Sequence, residues 1–208
     1  MTIANYGELK TAVTNWLGRD TQDINNRIAE FIAMAEDRIA KDLRVAAMET
    51  TADLTISTQR VAFPTGFLEA RRLYLDSDSE KQLEYFSPSV FWTRYFANES
   101  GQPKVYTIEG QEFVFAPSPG QSYTGKLLYF KRFTNLALAA DTNWILSNAR
   151  GLLLYGALLE AFIFLEDSAE AQKYAALYDQ LIKSTMDANR QSQYPRGALV
   201  MRSQVSVV

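Results

Sequence analysis

Residues 151–165 read GLLLYGALLEAFIFL, and this apolar run decides the fold. A membrane-spanning helix needs roughly 20 apolar residues, whereas this run is shorter and contains Glu160. We therefore predict a helix that is buried in a protein core. Its apolar side chains cover more than one face, so the core of one subunit cannot take all of them. The surplus is predicted to pack against neighbouring subunits, through Leu152, Leu153, Leu158, Leu159 and Phe162.

A helical pattern continues around and after this run. One helix is predicted from Trp144 to Phe164, and Asp167 begins the next, with Glu170 three residues on as in a capping box. The polar residues after Asn189 are expected to end that second helix. Its buried face is made by residues at helical spacing: Ala171, Tyr174, Tyr178, Leu181 and Ile182.

Two further helices are predicted before residue 46. Asn5 caps the first and Gly18 ends it. The second follows Thr21, and its apolar stripe consists of Ile24, Ile28, Phe31, Ile32, Ala35, Ile39 and Leu43. Charged residues occupy the opposite side, which is predicted to face solvent or another subunit: Arg27, Glu30, Glu36, Asp37, Arg38 and Lys41.

The residues between these helical segments change to short β-type runs, such as RVAF at 60–63 and EFVFA at 112–116. Turn material such as PTG at 64–66 separates them. One helix interrupts the series, with Ser87 as its cap and Pro88 in its first position. The predicted fold class is α+β: a helical bundle of residues 1–50 and 141–190, an inserted β-rich subdomain of residues 51–140, and an extended C-terminal arm of residues 191–208.

Composition and motifs argue against catalysis. The chain has no cysteine and no histidine, so it cannot form disulfides or thiolate sites or use histidine in acid–base chemistry. GQSYTGK at 120–126 has Walker A spacing, but Leu127 stands where a serine or threonine must meet magnesium. DSDSE at 76–80 begins like a calcium loop, but Lys81 occupies the position of the turn glycine. We interpret both stretches as turns and predict no enzyme activity, no cofactor and no metal site.

Charge and the opening residues limit the partners. A net charge of −3 offers no broad basic surface for tight nonspecific DNA binding. The polar opening MTIANYGELK predicts no secretory signal, so we expect a soluble intracellular product.

Arg71 and Arg72 are adjacent in a predicted strand and face opposite ways, so they cannot form one guanidinium clamp. A carboxylate such as Glu69 or Glu84 is the expected partner of at least one of them.

Four stretches, in this order, resemble the head–tail adaptor (connector) proteins of tailed bacteriophages, particularly short-tailed ones. They are YGELKTAVTNWLGR, INNRIAEFIAMAEDRIAKDLR, FPTGFLEARRLYLDSDSEKQLEYFSP and GLLLYGALLEAFIFLEDSAEAQKYAALYDQLI. The similarity covers nearly all of residues 1–190. Each stretch alone is only an amphipathic helix or strand, so the specificity of the resemblance comes from the order of all four.

The resemblance implies a structural virion protein made in the host cytoplasm and placed at the head–tail junction. Such adaptors form a ring, commonly of twelve copies, beneath the portal protein, and tail or nozzle proteins attach below. Genomic DNA passes through the lumen without sequence-specific binding, and no membrane is involved. Two alternatives stay open: a tail-tube or head-completion protein, and a carboxylate-dependent virion hydrolase that uses one pair among the 24 acidic residues.

The end of the chain, RGALVMRSQVSVV at 196–208, alternates as an extended strand does. Strand addition joins proteins through backbone hydrogen bonds, and fourteen residues from 195 reach about 45 Å when fully extended. We predict that this arm binds the portal or a neighbouring subunit. Its proposed contact residues are Arg196, Leu199, Val200, Met201, Arg202, Val205, Val207 and Val208.

Overall fold

The computed structural model describes residues 3–19, 21–95 and 99–193, with the backbone alone for residues 78–81. Helices and strands both contribute, so the α+β prediction is confirmed. The chain divides into two compact units. A helical unit comes from the residues up to 45 and from 135 onward, and a β-rich unit comes from residues 46–134. The predicted arm of residues 191–208 lies outside the described residues, apart from residues 191–193.

The described elements follow the chain in this order. The helices are α1 (Tyr6–Leu17), α2 (Gln22–Asp42), α3 (Pro88–Arg94), α4 (Trp144–Asn148), α5 (Arg150–Phe164) and α6 (Ser168–Gln193). The strands are β1 (Glu49–Ile56), β2 (Arg60–Ala62), β3 (Phe67–Leu75), β4 (Asp78–Gln82), β5 (Glu84–Tyr85), β6 (Ser100–Gly101), β7 (Val105–Glu109), β8 (Glu112–Ala116), β9 (Ser118–Pro119) and β10 (Tyr123–Lys131).

Local sequence signals set the ends of the helices. The Asn5 side chain accepts a hydrogen bond from the Glu8 amide at 2.9 Å, and Gly18 ends α1 in the left-handed conformation at φ 62°. Asp167 accepts from the Glu170 amide at 3.3 Å and so caps α6, as the sequence predicts. Helix α6 runs to Gln193, beyond the predicted end at Asn189, since arginine and glutamine are good helix formers.

Helix α5 is the centre of the helical unit and packs against α1, α2, α4 and α6. Gly156 allows α2 to approach closely, because a Cβ atom at this position would lie 2.9 Å from the Cβ of Ala35. The helix predicted from Trp144 to Phe164 is in fact two helices, α4 and α5. Ala149 leaves the helical region at φ −142° and ψ 41° and separates them, although no proline or glycine occupies that position.

Within the described residues, the β-rich unit is built from two four-stranded sheets and one two-stranded sheet of β6 and β9. The strand orders of the two larger sheets are β1-β10-β3-β4 and β2-β8-β7-β5, and β5 runs parallel to β7. Their buried side chains share one core, whose largest fully buried members include Phe113, Phe115, Ile56, Leu73 and Leu127. Burial of this much aromatic and aliphatic surface stabilises the unit by roughly 25 cal/mol for each Å² removed from water.

Helix α3 covers the other face of the second sheet. Phe91, fully buried, packs there with Val105 and Val114, and Trp92 donates a hydrogen bond to Glu109. That hydrogen bond and the Arg60 guanidinium, 2.6 Å away, lower the pKa of Glu109. The carboxylate therefore stays ionised and joins α3, β2 and β7.

The ion pair of Arg71 connects two strands of the first sheet. Its guanidinium lies 3.6 Å from Glu49 and 5.3 Å from the centre of the Phe130 ring. The expected partner of at least one of Arg71 and Arg72 was a carboxylate such as Glu69 or Glu84, and Arg71 does pair with a carboxylate, that of Glu49. Strand β10 separates β3 from β1, and the partner comes from β1, across the intervening strand.

One buried hydroxyl in this unit offers a stability test. Thr107 is fully buried, and its hydroxyl has no hydrogen-bond partner among the described residues. A buried, unsatisfied polar group costs about 1–3 kcal/mol. We expect Thr107→Val, which replaces the hydroxyl by a methyl of similar size, to raise the free energy of unfolding by ~1 kcal/mol in urea titrations.

Thr107→Ser is the matched control. It keeps the hydroxyl and removes the methyl, so it should lower the free energy of unfolding. A loss of stability in the valine variant would show that the hydroxyl is satisfied in solution and would contradict the assignment.

Candidate functional site

The apolar residues predicted to form a subunit interface lie in the core of their own subunit. Leu152, Leu153 and Leu158 are fully buried, and Leu159 and Phe162 are each 6% exposed. The ring of Phe162 stacks on that of Tyr174 in α6 at 5.3 Å. The prediction is therefore wrong for this conformation, because four helices surround α5 and together take up nearly all of its faces.

The exposed apolar surface of α5 lies at its C-terminal end. Phe164 is 44% exposed and Ile163 is 52% exposed. The Phe164 ring packs at 5.6 Å on Phe31 of α2, and the Arg27 guanidinium lies 5.0 Å from its centre. We call Arg27, Ile163 and Phe164 the Phe164 patch.

A second exposed aromatic side chain ends α1. Trp16 is 51% exposed, and its ring lies 6.0 Å from that of Tyr155 in the middle of α5. Trp16 follows Leu9 and Val13 at helical spacing, which places it on the apolar face of α1. Leu17 beside it is buried, so closeness to the end of the helix does not by itself show that Trp16 is exposed. We call Trp16 and Tyr155 the Trp16 patch.

Polar groups tie the three long helices together. Arg38 of α2 donates to Glu160 of α5, with its Nε atom at 3.0 Å. The Tyr178 hydroxyl of α6 donates to Asp42 of α2 at 3.1 Å. Burial and the Asp42 carboxylate raise the pKa of Tyr178, so this hydroxyl keeps its proton at all physiological pH values. Arg38, predicted to face solvent or another subunit, instead fixes α2 to α5.

Glu36 also departs from its predicted place on the solvated side of α2. It is 5% exposed and accepts a hydrogen bond from the Leu136 amide at 2.9 Å. The segment from residue 136 to 141 is further held by α1, where the Gly7 amide donates to the Ala139 carbonyl at 2.9 Å. The buried Glu36 carboxylate thus binds the backbone at Leu136, where the chain returns to the helical unit.

The motifs weighed for chemistry occupy ordinary structural positions. Lys126 of the Walker-like stretch lies in β10, and its ammonium pairs with Asp53 at 2.8 Å. A strand follows where a phosphate-binding loop needs a helix. Asp76 and Ser77 form an exposed turn between β3 and β4. Within the described ranges, no three acidic side chains come together as a metal ion would require.

The predicted arm residues lie outside the described part of the chain. These are Arg196, Leu199, Val200, Met201, Arg202, Val205, Val207 and Val208. Their role remains a prediction. Of the helices that the structure describes, none combines the length and apolar character needed to cross a bilayer.

The fold therefore presents surfaces: two aromatic patches on a helical unit, joined in one chain to a β-rich insert. Residues 4–202 match the family model described as SU10 adaptor protein, so the chain belongs to that family of structural phage adaptors. Among curated proteins, no sequence matches the chain.

Proposed function

We propose that this protein is a head–tail adaptor that forms a closed ring between the portal and the tail of a phage particle. The observation that carries the proposal is the family match over residues 4–202, which spans both structural units. We include in this proposal that the phage is short-tailed and that the ring contains twelve copies. A closed ring of identical subunits needs no reactive group, only complementary surfaces.

The proposed ring lets genomic DNA pass without holding it. Tight DNA binding depends on releasing counterions from phosphates by many lysine and arginine contacts. The chain has 21 such residues against 24 acidic ones, and Arg27, Arg38, Arg60, Arg71 and Lys126 already face carboxylates. This near balance of basic and acidic side chains supports a channel wall along which DNA slides freely.

The C-terminal arm is proposed to reach the portal. No acidic residue follows Asp187, while Arg190, Arg196 and Arg202 are basic, which suits an acidic partner surface. The arm follows α6, the last described helix, and none of the last eleven residues of that helix, 183–193, is buried. This helix end and the arm together form the part of the chain proposed to enter the next ring.

Electron microscopy of the purified protein, with and without the phage portal, tests the proposal. We expect a ring bound coaxially to the portal. Mixing the protein separately with tail proteins distinguishes a tail-tube or head-completion role. A protein that stays monomeric beside the portal and does not bind it would contradict the proposed function.

A further inference from the structure

The two aromatic patches lie on opposite sides of α5. Tyr155 and Phe164 are nine residues apart, which is about two and a half turns and therefore half a revolution around the helix. Their neighbours agree with this placement. Tyr155 packs at 6.0 Å on Tyr174 of α6, whereas Phe164 packs at 5.6 Å on Phe31 of α2.

The chemistry of the two patches is complementary. The Phe164 patch presents a guanidinium lying over a phenyl ring, and the Arg27 side chain is 42% exposed. The Trp16 patch presents an indole, the aromatic ring to which cations are attracted most strongly. An indole laid on the Phe164 patch would contact both the phenyl ring and the guanidinium.

We propose that the Trp16 patch of one copy binds the Phe164 patch of the next copy. A patch that binds its own kind gives a closed pair of subunits, whereas two different patches on opposite sides give a head-to-tail contact that repeats. Such a contact closes into a ring when a whole number of equal rotations from one copy to the next adds up to a full turn. This inference rests on the proposed ring and identifies the surfaces that build it.

The test uses single cysteines, because the chain contains none of its own. Arg19→Cys, three residues after Trp16, and Ile163→Cys, beside Phe164, keep the indole, the phenyl ring and Arg27 in place. The two variants are prepared separately in the full chain, and each is checked for a native circular dichroism spectrum. The two variants are mixed under mild oxidation, with and without portal. We expect covalent dimers in the mixture in several-fold excess over either variant alone.

Leu138→Cys provides the matched control. Among the described residues, Leu138 is the most exposed large apolar one, at 71%, and it lies in the loop before α4, outside both patches. Mixed with Arg19→Cys, it should give only the background of random collisions. An equal yield from this control and from the Ile163→Cys mixture would overturn the inference, as would dimers formed chiefly by one variant alone.

Electron microscopy of the wild-type protein with the portal separates the two possible failures. If wild-type rings form on the portal but the cysteine mixture gives only background, the patch assignment is wrong and the proposed function stands. If no ring forms and no portal binds, the proposed function itself fails.

Discussion

Gly156→Val is expected to lower the free energy of unfolding by ~3 kcal/mol, at the upper end of what overpacking a core costs. A Cβ atom at Gly156 would lie 2.9 Å from the Cβ of Ala35 and 3.6 Å from its Cα, so the obstruction includes the backbone of α2. Valine adds two further methyl groups at this contact. Helices α2 and α5 would have to separate, which weakens the core throughout the helical unit. Chemical denaturation followed by circular dichroism measures the change.

Gly151 supplies a control in the same helix. A Cβ atom there would lie 2.7 Å from Leu181, but the atom it meets is a terminal methyl of a half-buried side chain, which can rotate away. Replacing a helical glycine by alanine otherwise gains up to about 1 kcal/mol. Gly151→Ala should therefore be neutral or stabilising, whereas Gly156→Ala should destabilise. Equal effects at the two positions would show that close packing of α2 on α5 is not what Gly156 provides.

Deleting the residues after Tyr194 is expected to abolish portal attachment while leaving the fold intact. The buried residues that the structure describes in the helical unit lie between Ile3 and Ile182, so the deletion keeps all of them. Thermal unfolding should therefore match the full chain. In the phage, heads carrying the truncated adaptor should lose their genomes after packaging, and binding to the purified portal should fall below detection. Wild-type binding by the truncated protein would show that the arm is not the portal contact.

Point substitutions in the arm make the same prediction more specific. In an extended strand, Val205 and Val207 share a face with Leu199 and Met201, and we assign this face to the portal. Val205→Asp and Val207→Asp put charge on it, where burying an unpaired carboxylate costs several kcal/mol. Gln204→Asp and Ser206→Asp add the same charge on the other face and should be tolerated better. Equal losses from both pairs would mean that charge, rather than strand geometry, determines binding.

Local signals were sufficient to predict much of the helical unit. Asn5 and Gly18 determine the ends of α1 through interactions within a few residues, and the stripe of α2 follows from helical spacing. The alternating runs and turns likewise predicted a β-rich middle segment. The break at Ala149 escaped prediction because alanine favours helix and no breaker lies at that position.

Long-range pairing was not predictable in the same way. Helical spacing puts Glu36 beside the buried Ile32 and Ile39, but its hydrogen-bond partner is an amide 100 residues away, which local sequence could not identify. The leucines of α5 were assigned to a subunit interface because the number of helices around α5 was unknown. The candidate patches depend on where helices end relative to their neighbours, and periodicity carries no information on that.

The two halves of the helical unit are far apart in sequence, so they are synthesised at different times. Arg38 meets Glu160 across 122 residues, and Asp42 meets Tyr178 across 136. During synthesis, α1 and α2 emerge first, and the whole insert is made before α5 exists to cover the apolar stripe of α2. A ribosome adding about 5–20 residues per second leaves that stripe without its partner for several seconds. The nascent adaptor thus passes through an interval in which the apolar stripe of α2 is exposed to whatever else is near the ribosome.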